Sequence, residues 1–162
     1  MNKVVKTGLS ALLTGTVDSI ATTRTLAFLA RGEGKKAVQP TNSTSHWIHG
    51  EGAADVEDFD VAHTAIGYGT HHASAIFWAI PFEAWLATQP PRTPRQLLRD
   101  AALMSAIAAT VDYTITPKRL TPGWEEVLSK RSIAATFGSM AIGLAVGAIV
   151  TEHVRRAAQD FA

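Results

Sequence analysis

The chain has 162 residues, enough for one domain, and is 46% hydrophobic but only 18% charged, a low charge fraction for a soluble domain of this size. Fifteen Lys and Arg against fourteen Asp and Glu leave a net charge of +1, which excludes the clustered basic footprint of a nucleic-acid-binding domain. Cysteine is absent, so a disulfide framework, a thiolate metal site and a cysteine nucleophile are excluded as well.

This composition points to a membrane. The mean hydropathy of +0.08 is low for a multi-spanning protein because Ala, Gly, Ser and Thr fill the apolar segments instead of Leu and Ile. The expected class is all-α, an integral membrane four-helix bundle forming a single domain over 1–162, with a long polar loop between helices 1 and 2. A soluble bundle with buried helices is the competing reading.

Lys3 and Lys6 precede the first apolar run in the manner of a secretory signal. That run contains Asp18 and Arg24, continues to Ala30 and lacks a clean small-residue cleavage site, so Thr7 to Ala30 reads as a first spanning helix. Gly32 and Gly34 end it. The connection up to Asp60 carries Trp47 and the acidic residues Glu51, Asp55, Glu57, Asp58 and Asp60, with a short interfacial helix expected around Ser43 to His49.

Val61 to Ala87 is long enough to cross a bilayer core, which needs about 20 residues, and holds His71 and His72 side by side in otherwise apolar, small or aromatic surroundings. Pro90, Pro91 and Pro94 then force a tight hairpin, and Thr93-Pro94 is an N-cap and N1 pair opening a third helix, Pro94 to Ile115. Pro117 and Pro122 close that helix. Thr121-Pro122 repeats the device before a short amphipathic turn through Trp124 and Leu128. The fourth helix, Ser132 to His153, includes a run from Ile133 to Val150 with no charged residue, the strongest membrane signal in the chain.

Small and polar residues recur at helical spacing on all four helices: Thr14, Asp18, Thr22 and Thr25; Thr64, Gly67, His71 and Ser74; Ala101, Ser105, Ala108 and Asp112; Thr136, Met140, Gly143 and Gly147. Such stripes let helices approach closely, because lipid supplies no hydrophobic force between them and packing plus interhelical hydrogen bonds must hold a bundle. Gly143 and Gly147 form a GxxxG match and so a candidate self-association face.

With four spans, both termini share one side with Lys3, Lys6, Arg92, Arg95, Arg99, Arg155 and Arg156. The opposite side holds Arg31, Lys35, Lys36, Lys118, Arg119, Lys130 and Arg131. The balance is even and the positive-inside rule does not choose an orientation. The acidic loop favours an external position, which places the termini in the cytoplasm and the protein in a plasma or bacterial-type inner membrane.

A rise of about 1.5 Å per residue turns sequence position into depth. His71 lies roughly 15 Å, and Asp18 roughly 18 Å, from the loop-bearing ends of their helices, so the two can be level. Adjacent helical residues point about 100° apart, which sends His72 elsewhere. Asp18, His71 and His72 are thus a candidate buried polar cluster, with His71 the member able to reach Asp18. Arg24 and Asp112 are also matched in depth, and an ion pair is expected between them because a lone charge near hydrocarbon is costly.

A second constellation, His46 and His49 followed by Asp60 and His63, each pair spaced i, i+3, offers a candidate zinc or iron site. Haem within one chain is not expected, because bis-histidine ligation needs facing helices and helices 1, 3 and 4 carry no interior His. Glu83 is expected to pair with Arg92, Arg95 or Arg99. No phosphate-binding loop, nucleophile elbow or dinucleotide fingerprint is present. With no complete catalytic set, the reading is an accessory or structural subunit of a membrane assembly. The alternatives are a His/carboxylate metal-dependent enzyme or redox protein, and a proton or small-solute pathway through Asp18, His71 and Asp112.

Overall fold

The computed structural model describes residues 2–160, with side chains to residue 158, and among them every regular element is helical. Four long helices are α1 (Lys3–Gly32), α4 (Val61–Leu86), α5 (Pro94–Thr110) and α6 (Lys130–Asp160); two short ones, α2 (Gln39–Thr44) and α3 (His46–His49), lie in the connection between α1 and α4. A π turn, Val111–Ile115, extends α5. The expected helices are therefore all present, with longer ends on α1 and α6.

The helix ends follow local chemistry. The Asn2 carboxamide accepts from Val4 and Val5 N–H at 2.8 and 3.2 Å and opens α1. Asp60 accepts from Ala62 N–H at 3.1 Å and opens α4. Thr93 and Gln96 form a reciprocal capping box on α5, with Pro94 at the first helical position. Before Pro117 the α conformation is disfavoured, and Thr116 is extended. Thr121-Pro122 does not start an α-helix: Gly123, at φ +82°, turns the chain and only a single 3-10 turn, Trp124–Glu126, follows.

α1 packs against both α4 and α6, and α5 packs chiefly on α6, while α4 and α5 touch only sparsely. The α1–α6 seam is tight because of Gly143 and Gly147. A Cβ at position 143 would fall 2.9 Å from Asp18 Cα, and one at 147 would fall 2.8 Å from Thr14 Cα. The candidate self-association face is thus occupied by α1 of the same chain, leaving it no room for a second copy.

The expected interfacial helix is also different. Residues 39–45 are buried, inserted as a plug between α1, α4 and the 121–124 segment. A Cβ on Gly67 of α4 would clash with the Thr41 carbonyl, so only glycine admits the plug at this depth. Asn42, 0% exposed, organises it: its amide nitrogen donates to Val56 O at 2.8 Å and Asp58 O at 2.9 Å, and its oxygen accepts from Thr64 Oγ1 at 2.6 Å. Every polar group of this carboxamide is satisfied, which offsets the cost of burying it.

Alongside an apolar core that includes Leu26, Phe82, Phe137 and Leu144, the bundle buries many polar side chains and exposes many large apolar ones. Thr14, Asp18, Ser19, Thr22, His71, Glu83, Ser105, Thr136 and Thr151 face inward, whereas Leu9, Phe28, Phe77, Ile80, Leu103, Ile107, Ile142 and Val154 are exposed. Of the described helices, α6 alone is both long and apolar enough to cross a membrane by length and hydropathy.

Candidate functional site

Near the loop end the bundle holds a partly open cavity of about 790 Å³. Its wall is built from Asp18 and Thr22 of α1, His71 and Trp78 of α4, Asp112 of the π turn, Met140 of α6, and Trp47 and Trp124 from the segments that cover it. The sparse contact between α4 and α5 leaves this space, and the plug closes it from the loop end. Trp47 Nε1 donates to Thr121 O at 2.9 Å and Trp124 Nε1 to Thr44 Oγ1 at 3.2 Å, which pins plug and cover together.

The structure places Asp18 and His71 on the same cavity, bridged rather than bonded directly. Thr22 Oγ1 donates to the Asp18 backbone carbonyl at 2.8 Å and lies 2.8 Å from His71 Nε2. A hydroxyl has one hydrogen, so with that hydrogen on the Asp18 carbonyl Thr22 accepts from His71 Nε2–H. The ring meets Trp124 edge-on, with centroids 5.6 Å apart. Asp18 is 2% exposed, and its Oδ1, packed against Gly143, has no hydrogen-bond partner among the described residues. His72 faces away from this cluster and stacks on Tyr68 at 5.8 Å.

The expected Arg24–Asp112 ion pair does not form. Arg24 is exposed and makes no ion pair among the described residues, while half-buried Asp112 faces the Trp78 side chain. Depth was matched but direction was not: Arg24 is two residues from both Thr22 and Leu26, which face inward, so it points out of α1.

Of the four candidate metal ligands, His49, Asp60 and His63 come together and His46 does not. The His49 and His63 rings lie 4.3 Å apart, and His63 Nδ1 donates to Asp60, an interaction that holds the Asp60 carboxyl below the usual carboxylate range. His46 instead donates from Nδ1 to Ser43 O at 2.8 Å and packs against Gly123. No group of three or more His, Asp or Glu among the described residues is disposed to hold a metal ion. The expected ligand set is therefore not assembled; His63 and Asp60 serve the start of α4.

Glu83 also departs from expectation. It accepts from Thr14 Oγ1 at 2.6 Å, and Thr14 lies 3.0 Å from Thr151 Oγ1, forming a polar knot between α1, α4 and α6. Arg92 and Arg99 pair instead with buried Asp100 at 3.1 and 2.7 Å.

Thr22, Trp78 and Trp124 are site residues that sequence reasoning did not single out. Thr22 sat in the small-residue stripe of α1, a signal that marks the inward face but not a bridging role. No family of proteins matches this chain, and no curated protein or solved structure resembles it significantly.

Proposed function

We propose that this chain is a four-span integral membrane protein, with α1, α4, α5 and α6 crossing the bilayer, and that its interior cavity is a small-solute site. Support for the first part is the outer surface: large apolar side chains such as Phe28, Phe77, Ile107 and Ile142 are exposed, while threonines, Asp18, His71 and Glu83 are buried. In water that arrangement exposes apolar surface at about 25 cal/mol per Å² for no return, whereas lipid covers it. The plug is likewise what a membrane interior tolerates, since its polar backbone is enclosed by protein.

The observation that carries the second part is the convergence of Asp18, His71 and Asp112 on one cavity. Ionisable groups inside spanning helices mark solute or proton pathways by default, and these three come from three different elements. The accessory-subunit reading rests on the small-residue stripes and on the lack of a complete catalytic set in the sequence, and neither feature specifies a partner protein. A metal-dependent reaction has no assembled ligand set behind it.

Alkaline carbonate extraction and vesicle flotation of the full chain test the membrane assignment. Retention with the lipid is expected; release into a monodisperse detergent-free solution would sink it.

A further inference from the structure

The cavity has a charge requirement of its own. Two carboxyl groups, Asp18 and Asp112, stand on its wall, and no Lys or Arg is among its lining residues. Asp18 Oδ1 lacks a hydrogen-bond partner among the described residues, and Asp112 has the Trp78 side chain and the Glu125 carboxylate near it but no cation. A buried carboxyl without a counter-charge is kept neutral by a proton, and a cation entering the cavity from outside the chain can take that proton's place.

The rest of the wall states what kind of positive charge. Trp47, Trp78, Trp124 and Phe137 line the space, and the aromatic faces of such side chains attract cations while rejecting anions. A bare metal ion is poorly served, because it wants several oxygen ligands in a compact shell and no acidic cluster provides them. A cavity of about 790 Å³ instead has the size of a site for an organic molecule.

Resting on the reading of the cavity as a solute site, we infer that it binds a lipophilic organic cation, a quaternary ammonium or phosphonium type of group seated among Trp78, Trp124 and Phe137, with Asp18 as its principal counter-charge and Asp112 as a second.

Three probes of nearly one shape decide the matter: tetraphenylphosphonium, tetraphenylborate and neutral triphenylphosphine oxide. Each is titrated into the full-length protein in a non-ionic detergent, with quenching of the cavity tryptophans and equilibrium dialysis as readouts. Saturable binding of tetraphenylphosphonium is expected, weakened about tenfold or more in Asp18→Asn and by a smaller factor in Asp112→Asn, with no saturable binding of tetraphenylborate. Asp112 is half-buried and does not touch the α1–α6 seam, so its variant keeps the test alive if Asp18→Asn fails to fold. Equal binding of the cation and the neutral oxide, or unchanged cation affinity in both variants, overturns the charge assignment while leaving a solute site in place. Absence of saturable binding by any of the three overturns the solute site as well.

Discussion

The α1–α6 seam and the α4–α5 gap are built from the same kind of sequence and end as opposites. Both carry small residues at helical spacing, yet α6 brings Gly143 and Gly147 into direct contact with the α1 backbone, while α4 and α5 stand apart around a cavity. The difference lies in what flanks the small residues. On the seam the facing groups are Thr14 and Asp18, short enough to lie flat against glycine. At the gap, Trp78, Phe77 and Trp124 occupy the space that close approach would need. Small-residue stripes therefore permit contact, and the aromatic side chains beside them decide whether it happens.

The seam can be broken most severely at its glycines. Replacing Gly143 by Leu forces a side chain into Asp18 and is expected to cost about 3 kcal/mol or to prevent folding, because overpacking cannot relax against backbone. Thermal unfolding in detergent reads this directly, and a stable variant would show that the seam is looser than described. The corresponding change at the cavity, Met140→Leu, should cost about 1 kcal/mol or less, since an adjoining void accepts the altered shape.

A smaller effect is expected at the polar knot on the seam side. Thr14→Val leaves Glu83 buried without its donor and should cost about 1–3 kcal/mol in the same assay, whereas Thr14→Ser should keep most of the stability. On the cavity side, Asn42→Ala removes two donated bonds and one accepted bond and should loosen the plug. A red shift of Trp47 and Trp124 fluorescence would register this at a cost of about 2 kcal/mol.

Acidification should act at the cavity end through exposed groups at the helix ends. Hydrogen bonds from His63 hold the Asp60 carboxyl below its ordinary value, and those from Ser129 and Ser132 do the same for Glu33, which ties the end of α1 to the start of α6. A folded-state pKa below the unfolded one contributes stability above the carboxylate range, and that contribution is lost as pH falls through it. Unfolding midpoints should thus drop on acidification below the ordinary carboxylate range, and less so in Asp60→Asn. Smallest of all, Arg24→Gln should change stability by no more than about 0.5 kcal/mol, and a double-mutant cycle with Asp112→Asn should show no coupling.

The helices were legible in the sequence because their signals are local: Thr93-Pro94 for a start, Pro117 for a stop, and stripes of small residues for the inward face. Depth was legible too, which is why Asp18 and His71 meet at one cavity. Azimuth between helices was not, because it depends on which neighbours pack together. Arg24 and Asp112 share a level, yet Arg24 points away from the α1 surface that meets α4 and α6. The interfacial helix expected around Ser43 to His49 overlaps the plug only at Ser43 to Ser45, and its second half is the short helix His46–His49, so the burial of residues 39–45 was not legible. Only the folded chain brings Gly67 opposite Thr41 and gives Asn42 its three partners. The histidine pair sorted as helical geometry requires, with His71 inward on the cavity and His72 elsewhere.

The natural absence of cysteine makes one measurement decisive for the four-span bundle. Single cysteines at Glu57, in the connection before α4, and at Gln89, in the hairpin after it, can be labelled in sealed vesicles with a membrane-impermeant maleimide. Four spanning helices predict that the two sites label from opposite faces of the membrane. Labelling of both from the same face, or of both from either face, would contradict it.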